Sequence, residues 1–382
     1  MNSKLIIESL DRGMPFPDII GQTTARQALL KALSRERLAH AYLFAGPTGS
    51  GRSALALELA RALNCREGLP TAIFSPCQCP DCRMIRRWQH PHLIPVFPLP
   101  SSKPDKGAAA DQALMEILQA KSGNPYAPIK LAGSGEILVE YIRGLRNILS
   151  LAPDQQGIRT IIIQPADAMN LNSSNALLKL LEEPPDRCCL VLITDTPKSM
   201  PPTVLSRCQI IRFQPLGVEE IKDALIKQGK TDPQKAELIA RLSFGSFTRA
   251  LELAHEERFA LRQSSLDYLR VSALGHPIEI SAFVEQFTQN HSRQEMKELL
   301  SYAKVWIRDA LLKQASTTND QNSRLINIDN LEVSERMAGR YQAAQLTATL
   351  CQIEEMRLAV DSNVIPSIAL TALAIQIYRI LK

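Results

Sequence analysis

At 382 residues the chain is too long for one ordinary domain, and 45% apolar with 22% charged residues suits a soluble globular protein rather than a disordered or fibrous one. The formal net charge of +5 permits contact with nucleic acid or an acidic partner without demanding either. No run reaches the apolar length of a bilayer span and the opening MNSKLIIESLDRGMPF has no signal-peptide h-region, so a cytoplasmic protein with no membrane partner is expected, its eight cysteines reduced thiols or metal ligands.

From about Phe16 to Phe213, short β-rich runs alternate with helical patterns, the signature of a layered α/β domain. The first run, AYLFA, leads into GPTGSGRS at 46–53 and then into the helical SALALELARALN. A glycine-rich turn between strand and helix aims successive N–H groups at a phosphate, and the helix adds its positive end. The pattern G-x-x-x-x-G-K-[ST] is met everywhere except at Arg52, which stands where the lysine belongs. A guanidinium is still cationic, but its planar fork does not sit where a compact ammonium would. Gly46, Gly49, Gly51, Arg52 and Ser53 are therefore the candidate ATP or ADP ligands, and a loop kept as architecture alone is an equal reading.

Next come Cys65, Cys77, Cys79 and Cys82, four thiols that could close a tetrahedral structural site around Zn2+. No thioredoxin-like βαβ context surrounds CPDC, which argues against redox work. MIRRWQHPHLIP, with Arg86, Arg87, Trp88, His90 and His92, reads as a local structural patch beside the cysteines. The stretch 97–135 is rich in Pro, Ser, Gly and Lys and reads as an inserted, partly mobile surface excursion.

RTIIIQ at 159–164 is the second strand of the site. Nucleotide hydrolysis needs a metal-holding aspartate and a water-polarising glutamate at its end. Gln164 and Pro165 stand there instead, and Asp167 reads as a turn or capping residue. NSSNALLKLLEE forms a helix capped by Asn172 or Ser173 and stopped by Pro184-Pro185, with Glu182 and Glu183 solvated or ion-paired at its end. CCLVLIT at 188–194 and QIIRF at 209–213 complete a parallel sheet buried on both faces, and Cys188, Cys189 and Cys351 read as core. Three short helices follow Phe213. From Arg258 the chain is helical throughout and fits a bundle.

PDIIGQ at 17–22, AHAYLFAGPTGSGRS, the four-cysteine region, ADAMNLNSSNALLKLLEEPP at 166–185 and LSRCQIIRF at 205–213 resemble the clamp-loader branch of the AAA+ family. The resemblance covers most of residues 16–255. It implies an AAA+ P-loop parallel-sheet domain over 1–214, with a four-cysteine zinc module at about 65–92 and a family-variable insertion at about 97–135. A helical lid over 215–257 and a C-terminal helical collar over 258–382, which oligomerises, would follow. The family's zinc module ends C-x-x-C-x-x-C, whereas CQCPDC is one residue shorter, so Cys77 needs a tighter loop to serve as a ligand. The resemblance also implies that Arg207 is an arginine finger, reaching in trans to the γ-phosphate held by a neighbouring subunit. Thr194 falls at the first sensor position and Arg249 near the second.

Within the family, the losses at 52, 164 and 165 favour the non-catalytic delta-prime type of subunit over the ATPase gamma type. The implied function is a non-catalytic subunit of the DNA polymerase III clamp loader. It would sit in a hetero-pentamer with gamma/tau and delta types of subunit, and support ATP-dependent loading of the sliding clamp onto primer–template DNA. The alternatives are an active gamma/tau-type ATPase subunit and a zinc-containing nucleic-acid-binding AAA+ protein outside any clamp loader.

Overall fold

Five short strands make one parallel sheet: β1 Ala41–Ala45, β2 Leu93–Val96, β3 Arg159–Ile163, β4 Cys188–Thr194 and β5 Gln209–Arg212, in the order β2-β3-β4-β1-β5. They belong to a computed structural model that describes residues 14–35, 37–75, 77–99, 107–129, 135–150, 157–315, 325–360 and 364–382. Every residue of β1 and β4 is buried, as continuous apolar runs in a covered parallel sheet should be. Ala41 lies opposite Leu190 and Ala45 opposite Thr194, so the glycine loop leaves the sheet beside the end of β4.

Two strands depart from the sequence reading. QIIR reads as buried on both faces, yet only Ile211 is, because β5 is the sheet's outer edge. The segment LIPV, which composition groups with the cysteine module, is β2, the opposite edge. Proline cannot donate to a ladder and is tolerated at an edge, where one side of the strand needs no partner. Pro95 thus disguises a strand that pairs in register with β3.

Helices cover the sheet. One core cluster joins Leu43, Ile161, Leu190 and Leu192 of the strands to Leu177 and Leu181 of the helix Leu171–Glu182, and to Ile142 and Leu145 of the helix Val139–Ser150. Truncating any of these to Ala should cost about 2–5 kcal/mol. The helix Leu171–Glu182 starts earlier than expected: its cap is Asn170, whose Oδ1 accepts the Ser173 N–H at 3.0 Å. The described part of 97–135 also departs from expectation. It contains a 17-residue helix, Gly107–Gly123, and Tyr126, 6% exposed.

The chain divides into two compact units, Met1–Ala224 with Phe244–Arg249, and Leu225–Ser243 with Ala250–Lys382. The residues expected to form the lid, 215–257, are shared between them. In the second unit the helix Arg293–Ala315 packs against Glu256–Leu274, Leu331–Arg340 and Ala343–Ala359. Its Met296, Leu299, Leu300, Ala303, Trp306, Ile307 and Ala310 are buried, a stripe at helical spacing. On the same helix the fully buried Asp309 accepts N–H bonds from Ile326 at 3.2 Å and Asn327 at 2.8 Å, pinning the segment before Leu331. Cys188 and Cys189 are buried as expected, but Cys351 is exposed. Thr349 and Ile353 face inward, and Cys351, midway between them, must point out. Among the described residues no helix is long and apolar enough to cross a membrane.

Candidate functional site: a crowded glycine loop and a cysteine cluster

The glycine loop closes on its own surroundings. Gly46 donates its N–H to Thr194 O at 3.2 Å, and a Cβ there would stand 2.5 Å from Phe213 O, so only glycine permits this approach. Gly49 has φ +79°, and a Cβ on it would overlap Ser246 Oγ. The helix Arg52–Asn64 begins at Gly51 with no side chain capping it, leaving its first N–H groups and positive end directed into the loop.

Beside the loop lies a cavity of about 200 Å³, lined by Gly49, Gly51, Arg52 and Ser53. Arg52 is 7% exposed, and its buried Nη1 has no hydrogen-bond partner among the described residues. Burial lowers its pKa, while Asp195 and Asp167 pull the other way. A second cation comes from the helix Gly107–Gly123. Lys121 is 2% exposed and donates to Ser53 Oγ at 3.2 Å and to Pro125 O at 3.4 Å. Burial, and then the nearby Arg52, drag its pKa down to about 8. Tyr126 also lines the cavity. Its hydroxyl accepts the Ile20 N–H at 3.0 Å and lies 3.2 Å from where a Gly51 Cβ would be. Its ring meets Phe247 edge-on at 5.0 Å, and its carbonyl accepts Thr248 Oγ1 at 2.5 Å. The segment read as a surface excursion therefore forms a wall of the site.

The opposite wall has no carboxylate from β3. Gln164 and Pro165 line the cavity there. Asp167 sits in the turn Ala166–Ala168 and accepts Thr194 Oγ1 at 2.6 Å. Thr194, fully buried, spends its hydroxyl on Asp167 and on the Thr196 N–H, and does not line the cavity. The lining carboxylate is Asp195, exposed and held by Thr48 Oγ1 at 2.8 Å. Such a cavity offers an anion two cations and free N–H groups. It offers Mg2+ no paired carboxylates.

The thiols of Cys65, Cys77, Cys79 and Cys82 lie within 4.8 Å of one another. Thiolates around one zinc ion stand roughly 3.8 Å apart, given Zn–S bonds of ~2.3 Å, so the four donors fit that ion closely. Cys77 reaches the cluster on a tight loop in which the Cys79 N–H donates to Cys77 Sγ at 3.4 Å. Burial pushes Cys65 up to about 11. At Cys79 burial also raises the pKa, but the Cys82 and Arg66 N–H groups outweigh it and hold the thiol at about 7. Arg61, fully buried and bound to Glu58 at 2.8 Å, points its Nη1 at Cys82 Sγ, 3.8 Å away, where it would offset the charge of a four-thiolate zinc centre. His90 is turned elsewhere: its Nδ1 accepts the His92 N–H at 3.0 Å, and Nε2 faces Asp81 at 3.6 Å.

Arg207 follows the short helix Pro202–Leu205 and lies on the surface. Its guanidinium pairs with Glu182 Oε1 at 2.7 Å and donates to Thr203 O at 2.9 Å, with the side chain 35% exposed. Arg249 stacks on Phe244, its Cζ 5.2 Å from the ring centre, and does not line the cavity.

The family model described as DNA polymerase III, delta subunit, matches residues 21–217, just over half of the chain, and takes in the loop, the cysteines and Arg207. The chain belongs to this clamp-loader family. The delta' subunit of DNA polymerase III from Bacillus subtilis (strain 168) is 33% identical over 240 residues, covering 63% of this chain and 61% of that protein. The tau subunit of Escherichia coli (strain K12) is 30% identical over 251 residues, 64% of this chain and 33% of its own length. The delta' subunit of Pseudomonas aeruginosa is 32% identical over 184 residues, 48% of this chain and 46% of that protein. The chain thus spans about three fifths of the first of these relatives.

As a member of the clamp-loader family the first unit is an AAA+ α/β domain, its sheet carrying the glycine loop between β1 and the helix Arg52–Asn64. Lys121 and Tyr126 were missed in the sequence. The signal was present: Ala110, Ile117 and Lys121 lie on one buried face at helical spacing, so the lysine belonged to an inward stripe.

Proposed function

We propose that this clamp-loader family member is the non-catalytic, delta-prime type of subunit. In a hetero-pentamer with gamma/tau and delta types it would help partner ATPases open the sliding clamp and place it on primer–template DNA. The observation that carries this reading is the altered cavity: Arg52 in place of lysine, Gln164 and Pro165 in place of carboxylates, and Lys121 and Tyr126 added to its lining. Phosphoryl transfer depends on positioning plus metal-held charge, and β3 supplies this wall with no carboxylate to hold a metal.

The 1–214 domain, the 215–257 lid and the 258–382 collar are part of the same proposal, as are a structural zinc ion on the four cysteines and a cytoplasmic location. Arg207 is the residue that acts. Its place beyond the helix Pro202–Leu205, partly exposed and tied to a surface carboxylate, supports a side chain that can exchange Glu182 for a neighbour's γ-phosphate. A cation arriving there neutralises charge on the transferred group.

The test is the DNA-stimulated ATPase of a reconstituted loader carrying Arg207→Ala in this subunit. Loss of an arginine finger costs roughly 10³-fold at the site it serves. Total turnover is expected to fall by that one site's share, with clamp loading impaired. Unchanged turnover contradicts the assignment. The tau relatives keep a gamma/tau-type reading in play, and ATP turnover by the lone chain would favour it.

A further inference from the structure

Two buried cations face one small cavity, and among the described residues neither is paired with an anion. Lys121 has hydroxyl and carbonyl partners at 3.2 and 3.4 Å, which leaves one ammonium hydrogen. Arg52, only 7% exposed, has Nη1 without a partner and lines the cavity. A buried, unsatisfied charged donor is costly unless a ligand satisfies it. The uncapped start of the 13-residue helix Arg52–Asn64 adds N–H groups and partial positive charge at the same place. Among the described lining residues Asp195 is the one carboxylate set against Arg52 and Lys121, so the lining groups carry a net positive charge.

Size and walls narrow the ligand. Small-molecule pockets usually span about 300–1,000 Å³, and this one is about 200 Å³. In the lining, Tyr126 is fastened at both its hydroxyl and its carbonyl, and its ring stands against Gly51 and Phe247. A base or ribose entering between those residues would have to displace that ring.

We propose that the cavity binds an inorganic oligophosphate, with Lys121 standing in for the absent loop lysine and Tyr126 excluding the nucleoside. The site is built from the glycine loop and a lysine remote in sequence. It stands apart from Arg207 and does not depend on the trans role proposed for it.

The experiment titrates the full chain with pyrophosphate, and separately with ATP and ADP, by calorimetry without added metal. Pyrophosphate is expected to bind, and to bind at least roughly ten-fold more tightly than either nucleotide. Lys121→Met and Arg52→Gln should each weaken pyrophosphate by at least about ten-fold. Tyr126→Ala should narrow the gap by improving nucleotide binding. ATP binding as tight as pyrophosphate in the parent chain overturns the exclusion. Absence of pyrophosphate binding up to millimolar concentration, or binding indifferent to both substitutions, overturns the site. The parent-chain titrations decide the matter even if a variant fails to fold, and none of these outcomes bears on the ATPase test of Arg207→Ala.

Discussion

Lys121 holds its ammonium almost fully out of water, with no paired carboxylate among the described residues, and its protonation should therefore couple to stability. Its pKa falls from 10.5 to about 8 on folding because burial disfavours the charged form, with Arg52 adding repulsion. Below pH 8 both folded and unfolded chains carry the proton, and the fold bears the whole cost. Between pH 8 and 10.5 the unfolded chain binds more protons, so stability rises with pH. Lys121→Met should therefore melt higher than the parent at pH 7 and lose that advantage as pH climbs through about 8 toward about 10. An advantage independent of pH would show that the charge is not the cause. The cysteines yield a second test at this scale. The parent chain from zinc-replete medium should carry about one zinc, and Cys77→Ser should fall well below that, since a structural site needs all four thiolates. Full zinc in the variant would remove Cys77 from the ligand set. The sequence showed the four cysteines and the missing loop lysine plainly. It did not show where a replacement cation would come from, because Ser53 and Lys121, 68 positions apart, are brought together by packing rather than by local pattern.

At the level of elements, the chain's apolar runs were legible where burial is complete and misleading at the edges. The runs AYLFA and CCLVLIT declare themselves as central strands because nothing in them tolerates water. LIPV hid behind its proline, and QIIR was given a burial its edge position does not provide. The Pro/Ser/Lys-rich composition of 97–135 masked the helix Gly107–Gly123, whose inward face is sparse and includes a charged residue. In the second unit, the buried Asp309 is the fastening between the helix Arg293–Ala315 and the segment at 326–327. It also accepts the Asn327 side-chain amide at 2.9 Å, while Arg262 donates to Asn327 Oδ1 at 2.9 Å and stacks over Trp306 at 4.7 Å. Asp309→Ala leaves buried donors unpaired and should cost roughly 2–3 kcal/mol. Amide exchange at Ile326 and Asn327 should quicken with it, and unchanged exchange there would show that the segment is held by packing alone.

For the whole molecule, family membership and the AAA+ sheet are established by the match over residues 21–217 and by the strand order. The division of labour proposed here rests on one asymmetry. Residues that would act on the chain's own nucleotide are replaced, withdrawn or covered, whereas Arg207 remains at the surface with a partner it can exchange. Such a subunit gives charge to another site and completes none of its own. The most direct test is steady-state ATP turnover by the purified chain alone, with Mg2+ and primed DNA present. No turnover above background is expected. Brisk hydrolysis that disappears with Arg52→Ala would contradict that division of labour.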